Sequence, residues 1–181
     1  MNSVLLNSLR NGGFILYVRH GEANVGNDLP NLNFQNCLTQ RNLSNMGRSQ
    51  ARYYGEILRY LQIPIQIPII ASSYCRTIET AQLAFGIENV QDNPILVGVN
   101  RLNGNLPSND RQKILKQLTS VLEEIPEDGK NKVIVAHSFP NGVGIGSIPY
   151  TGTVIVKPKG KGNGYEVVGK LSLADWSRLV N

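Results

Sequence analysis

Hydrophobic residues along this chain gather into short runs set between polar stretches that carry glycine and proline. "FILYV" (14–18) follows "NGG" and is partly β-branched or aromatic, the pattern of a strand buried on both faces. "IPIIASS" (67–73), "NPILVGV" (93–99) and "NKVIVAHS" (131–138) are further strand candidates, and "TGTVIVKP" (151–158) with "YEVVGKLS" (165–172) predicts a terminal hairpin. Between them lie segments of helical period. In "NLSNMGRSQARYYGEILRYLQI" (42–63), Ser44 is the N-cap and Met46, Ala51, Tyr54, Ile57, Leu58 and Leu61 form the apolar stripe, with Pro64 and Pro68 beyond its end. "YCRTIETAQLAFG" (74–86) closes on a C′ glycine, Gly86. "SNDRQKILKQLTSVLEEIPEDG" (108–129) places Ile114, Leu118, Val121 and Leu122 on one side, and "LADWSRLV" (173–180) makes a last helical turn or two. A polar loop runs from Ala23 to about Gln40.

Strands that alternate with helices imply an α/β fold of three layers, α/β/α, with a mostly parallel central sheet joined by right-handed crossovers. The C-terminal hairpin adds antiparallel strands at an edge. No linker or internal repeat divides residues 1–181, so a single domain is expected. Ligands of such sheets bind beyond the carboxyl ends of the strands.

Composition narrows the possibilities. A hydrophobic fraction of 41% with 17% charged residues is that of a globular protein, and no apolar run approaches the roughly 20 residues of a membrane-spanning helix. The start "MNSVLLNSLRNGG" has no basic n-region or long h-region, which points to the cytoplasm, although a processed periplasmic or secreted form would look the same. The net charge of +5 is scattered, and its densest group, "KPKGKGNGYEVVGK" (157–170), is broken by glycines as in a solvated turn, so neither a nucleic-acid nor a membrane partner is expected. Cys37 and Cys75 have no zinc-like spacing, and no metal or other cofactor is expected. Two separate buried thiols is the reading for these cysteines, with a single disulfide as the alternative. Nothing in the sequence sets an oligomeric state.

Three of the apolar runs end in reactive residues: "FILYV" in Arg19-His20, "IPIIASS" in Tyr74-Cys75-Arg76, and "KVIVA" in His137-Ser138. If these runs are neighbouring parallel strands, two guanidinium groups and both histidines of the chain converge at one sheet edge. Each alone is better read as a surface cation or a hydrogen-bonded spacer, but the joint position of all four favours chemistry. Arg offers a planar fork that matches phosphate oxygens and stays charged. Two of them make a pocket for a dianion and supply, without magnesium, the charge stabilisation that phosphoryl transfer requires. A neutral imidazole can then attack phosphorus, and Gly21 lets the backbone approach it closely.

At this point the sequence resembles the histidine phosphatase superfamily, also called phosphoglycerate mutase-like. "VRHGEA", "SSYCRTIETA" and "VIVAHS" are similar to its three core motifs in the expected order, "CLTQRNLSNMGRSQA" resembles the LT-x-x-G-x-x-QA segment, and "LADWSRL" is similar to family endings. The pairing of "NCLTQRNLS" with "YCRTIETAQLAFG" looks most like small bacterial members grouped with lipopolysaccharide heptose phosphatases. The resemblance implies a metal-independent phosphomonoesterase with His20 as the nucleophile that becomes phosphohistidine. It further implies that Arg19 and Arg76 clamp the phosphate, that His137 assists the transferring group, and that Glu22 and Asn24 stand at the pocket rim. The implied partner is a phosphorylated small molecule or a phosphoprotein.

This sequence departs from the family in two places. Where many members supply a Glu general acid, it reads "ILVGVNRLNGNLPSND", with no carboxylate before Asp110. Glu22, Asp28 and Asp110 are the candidates for the acid, Glu22 first, and a phosphoramidate or acyl phosphate would need none. After His137, "HSFPNGVGIGSIPYTG" is too rich in glycine for the helix many relatives have, so the back wall is expected to be a loop. With no room for a large inserted lid, the pocket should be open. Alternative readings are a protein phosphohistidine phosphatase and a non-catalytic phospho-ligand binding protein on the same fold.

Overall fold

The computed structural model describes residues 3–180. A helix, α1 (Ser3–Asn11), leads into β1 (Ile15–Arg19), and a long loop then reaches α2 (Asn45–Tyr60). β2 (Ile69–Ala71), α3 (Cys75–Phe85), β3 (Val90–Asp92), α4 (Val97–Arg101), α5 (Ser108–Leu122) and β4 (Lys132–Ala136) follow. The chain closes with β5 (Thr153–Pro158), β6 (Tyr165–Leu171) and α6 (Leu173–Ser177). The six strands stand in the order β3-β2-β4-β1-β5-β6. β3, β2, β4 and β1 are mutually parallel, while β5 and β6 are antiparallel at the other edge, as the sequence pattern implies.

Alternation along β1 divides the core into two. Leu16 and Val18 face a cluster that includes Leu9, Tyr54, Leu58, Ala81 and Trp176, contributed by α1, α2, α3 and α6. Ile15 and Tyr17 face the opposite cluster, with Val99 of α4 and Ile114, Leu118 and Val121 of α5. A period of two therefore serves helices on both faces, which makes three layers. Among the described residues, no helix is long and apolar enough to cross a membrane.

Ser44 caps α2, its side chain accepting from Gly47 N, and Gly86 ends α3 at a φ of 97°. Met46 departs from the expected stripe: it lies in the first turn of α2, on the solvent side, and is 59% exposed.

"NPILVGV" is not a strand. Pro94 starts a 3₁₀ turn whose first amide is capped by Asn93, and the chain continues into α4. Leu96, Val99 and Leu102 recur at a spacing of three and are all buried, a helical pattern that outweighs the β-branched content. The third parallel strand is instead "VQD" at β3, a half-polar edge strand with no apolar run to announce it.

The two cysteines are also not separate buried thiols. Cys37 and Cys75 form a disulfide, with Cα atoms 5.8 Å apart. Cys37 is exposed in the loop before α2 and Cys75 opens α3, so the bond ties that loop to the helix.

Candidate active site

The carboxyl ends of β1, β2 and β4 lie side by side because β4 pairs with both of the other strands. Each delivers a reactive side chain. Arg19 is the last residue of β1 and His20 the next, and the His20 amide donates to Ala136 O of β4 at 3.0 Å. His137 follows β4, and its carbonyl accepts from the buried Tyr17 hydroxyl at 2.8 Å. β2 passes through Ser72-Ser73-Tyr74 into α3, whose second residue is Arg76. His20, Arg76 and His137 are buried, and the two imidazole centroids are 5.3 Å apart, set edge to face.

The protonation of His20 follows from its partner. Nδ1 lies 2.7 Å from the Gly21 carbonyl oxygen, which can only accept, so Nδ1 carries the proton and Nε2 is left with its lone pair. Burial holds the His20 pKa well below the usual histidine value, and the Arg76 cation pushes it the same way against the Gly21 hydrogen bond. His137 is lowered too, first by burial and then by the neighbouring His20, Arg76, Arg19 and Arg41. Both rings are therefore neutral at pH 7.

The two arginines are held differently. Arg19 Nη1 donates to Ile148 O at 2.8 Å while the guanidinium lies 4.0 Å above the Tyr150 ring. That ring is set by Thr151, whose amide donates to the carbonyls of Arg19 and His20 at 3.1 and 3.3 Å. Thr151 is fully buried with φ at 53°, a region β-branched residues avoid, so surrounding contacts impose the conformation. Arg76 packs over Tyr74 at 4.2 Å and forms a two-pronged ion pair with Asp28, Nη1 to Oδ1 at 2.9 Å and Nη2 to Oδ2 at 3.3 Å.

Among the described residues, the buried side-chain nitrogen or oxygen atoms without a hydrogen-bond partner are Arg19 Nε, Arg76 Nε and His137 Nδ1. Unpaired buried donors are costly and uncommon in folded proteins. All of them belong to the four residues singled out in the sequence. Arg19, His20 and His137 line a cavity of about 330 Å³ that also takes in Arg41, Asn100, Asn103, Ser138, Asn141 and Ser147. Its back wall is the irregular loop after His137, as the glycine content implies.

Glu22 and Asn24 do not line that cavity. The Glu22 carboxylate accepts from Ser44 Oγ at 2.7 Å, supporting the start of α2, and the Asn24 side chain donates to Leu43 O at 3.4 Å. Asp110 stands with Arg101 and Lys113 in a separate surface depression. Asp28 is engaged with Arg76, and no Asp or Glu lines the cavity. Among the described residues, no group of three or more His, Cys, Asp or Glu side chains could hold a metal ion.

The sequence reading missed Arg41, Tyr150 and the amides of Asn100 and Asn103. Tyr150 could have been noticed as the one tyrosine in the glycine-rich loop after His137. Asn100 and Asn103 were hidden because the strand expected at 93–99 stops short of them, whereas α4 runs on through Asn100 and its following turn carries Asn103.

No protein-family model matches the chain, and no curated protein matches it in sequence. Solved structures do match in fold. A candidate alpha-ribazole-5′-phosphate phosphatase from Escherichia coli superposes with a TM-score of 0.62 at 13% identity, over 91% of this chain and 99% of that one. A phosphoserine phosphatase from Entamoeba histolytica, in complex with phosphoserine, gives 0.57 at 15% identity over 88% and 97%. The protein histidine phosphatase SixA, complexed with tungstate, gives 0.55 at 12% identity over 89% and 97%. The chain has the phosphoglycerate mutase-like fold of the histidine phosphatases.

Proposed function

We propose that this chain, built on the histidine phosphatase fold, is a metal-independent phosphomonoesterase that works through a phosphohistidine on His20. The observation that carries this reading is the bare Nε2 of a neutral, buried His20 beside three buried nitrogens with no partner, Arg19 Nε, Arg76 Nε and His137 Nδ1. A tetrahedral oxyanion would accept from Arg19 Nε and Arg76 Nε and, where Nδ1 carries the proton, from His137. Two structural neighbours are complexed with phosphoserine and with tungstate, which supports a phosphate ester as the ligand.

In the first step, the Nε2 lone pair forms the N–P bond while the bond from phosphorus to the leaving oxygen breaks and that oxygen keeps the electron pair. Its proton comes from His137. In the empty site His137 is neutral, but a bound dianion reverses the field of the arginines and allows the ring to be charged. In the second step, water attacks phosphorus, His137 takes its proton, and the N–P bond returns its electrons to Nε2. The product is inorganic phosphate.

A second reading narrows the substrate to phosphohistidine on a protein, and the absence of any carboxylate from the cavity lining favours it. A departing imidazole needs less help from an acid than an alkoxide does.

Hydrolysis of an aryl phosphate in the presence of EDTA tests the first reading. Activity that survives chelation is expected, together with an acid-labile, alkali-stable phosphoryl label that disappears in His20→Ala. Loss of activity on chelation would rule out the metal-free mechanism. Phosphate binding without turnover of any monoester or phosphohistidine would leave a phospho-ligand binding protein.

A further inference from the structure

We propose that Arg41 is a third phosphate-binding guanidinium of this site and supplies the second uncompensated positive charge that matches a phosphoryl dianion, an assignment that rests on the phosphatase reading. Charge accounting leads to it. Arg76 is matched by Asp28 in a two-pronged pair, so the two together contribute no net charge. His20 and His137 are neutral. Arg19 alone would then face a dianion with half its charge.

Arg41 completes the balance. It lines the same cavity as Arg19, His20 and His137, and its side chain has no hydrogen-bond or ion-pair partner among the described residues. Its charge is felt across the site, since it opposes protonation of Arg19, His20, Arg76 and His137 alike. Arg19, Arg41 and the Arg76–Asp28 pair sum to two positive charges, the complement of one phosphoryl dianion. Arg41 is half-buried beside two further guanidinium groups, and an anion in the cavity offsets their mutual repulsion.

The backbone of residue 41 shows how the guanidinium is presented. Asp28 Oδ1 accepts from the Arg41 amide at 2.8 Å as well as from Arg76 Nη1 at 2.9 Å, and Arg76 Nη1 donates to the Arg41 carbonyl at 3.3 Å. Asp28 is thus a positioning residue that fastens the Arg41 main chain to the neighbouring phosphate ligand. The Cys37–Cys75 disulfide fixes the same loop to the start of α3, four residues from Arg41 along the chain. None of these contacts uses the Arg41 side chain, so replacing it removes the guanidinium and leaves its mounting intact.

The test is equilibrium binding of inorganic phosphate, by calorimetry, across pH 5 to 8, on wild type, Arg41→Ala and Arg41→Lys, each also made with His20→Ala. Losing a charge-assisted contact to a desolvated anion should weaken binding about 10- to 100-fold in Arg41→Ala, with partial recovery in Arg41→Lys. The preference for dianion over monoanion, read from the change in affinity around the second ionisation of inorganic phosphate, should shrink in Arg41→Ala. A merely structural role would not move that pH dependence. Unchanged affinity and pH dependence in Arg41→Ala would overturn the proposal, whatever the enzyme's turnover. A protein that binds phosphate through Arg41 but hydrolyses nothing would keep the proposal and remove the phosphatase reading.

Discussion

Cys37 and Cys75, separated by 38 positions, join the loop that carries Asp28 and Arg41 to the first residue of the helix that carries Arg76. The chain-entropy argument gives a crosslink of this span about 4 kcal/mol of stability, and native contacts that persist in the unfolded chain reduce it. Cys37→Ser with Cys75→Ser is expected to lower the unfolding free energy by about 2–4 kcal/mol in urea titration. Phosphate binding should weaken as well, since the loop's other attachments to α3 include only the Asp28 contacts and single hydrogen bonds such as Arg76 Nη1 to Arg41 O and Cys75 N to Gln40 Oε1. A double variant with unchanged stability and phosphate affinity would show that those contacts alone hold the loop.

Replacing Asp28 should move stability and affinity in opposite directions. Asp28→Asn leaves the almost fully buried Arg76 without a counter-charge. Breaking a buried pair costs about 3–5 kcal/mol, and because Asp28 retains 21% exposure we expect about 2–4 kcal/mol. The same change adds a net positive charge to the site, so phosphate should bind more tightly. Saturating phosphate should then narrow the stability gap, because a ligand specific to the folded state stabilises it by mass action. Thermal unfolding with and without phosphate measures both. Equal stabilities in the absence of phosphate would mean that Arg76 finds another partner.

Much of this architecture was legible because the chemistry sits where the pattern changes. β1 and β4 are continuous apolar runs that break into Arg19-His20 and His137, and the parallel pairing that unites them follows from alternation with helices. What escaped the sequence has specific physical causes. β3 is three residues of an edge strand with one apolar side chain, too short for any period to emerge. Residues 93–99 have strand-like composition, but Pro94 and the buried spacing of Leu96, Val99 and Leu102 make them helical. The disulfide and the Asp28–Arg76 pair join positions 38 and 48 apart, and no local pattern encodes such contacts. Glu22, read as the leading acid beside the histidine, is instead bonded to Ser44 at the start of α2, and that depends on how closely α2 approaches the loop.

That approach predicts the behaviour of Gly47. Helix propensity alone favours alanine over glycine by about 1 kcal/mol in a helix interior. Packing opposes it: a Cβ on Gly47 would overlap the carbonyl oxygen of Glu22, and one on Gly21 would lie 2.5 Å from the carbonyl oxygen of Gly47. The two backbones touch with no space for a methyl group, immediately beside His20. Backbone atoms cannot rotate away as a flexible side chain can, so the steric term wins. Gly47→Ala should be destabilised by about 2–3 kcal/mol in urea unfolding and should lose most activity through displacement of His20. A stabilised variant would mean that α2 can shift without cost.

The histidines also set a pH dependence of stability with a definite sign. In the unfolded chain both titrate near pH ~6.5, and in the folded chain both are held well below that. Above about pH 6.5 neither state binds a proton at these positions, and they contribute no slope. As pH falls below it, the unfolded chain takes up protons that the folded site refuses, so unfolding becomes easier by up to about 1.4 kcal/mol per pH unit for each ring. Urea titrations between pH 7 and 5, above the range where most carboxylates ionise, should therefore show stability lost on acidification. Replacing either ring by Asn should remove about half of that slope. Phosphate should flatten it further, because an anion in the site makes a charged His137 acceptable and weakens the folded state's resistance to protons. A slope unaffected by either substitution would show that the two rings accept protons in the folded protein as readily as in the unfolded one.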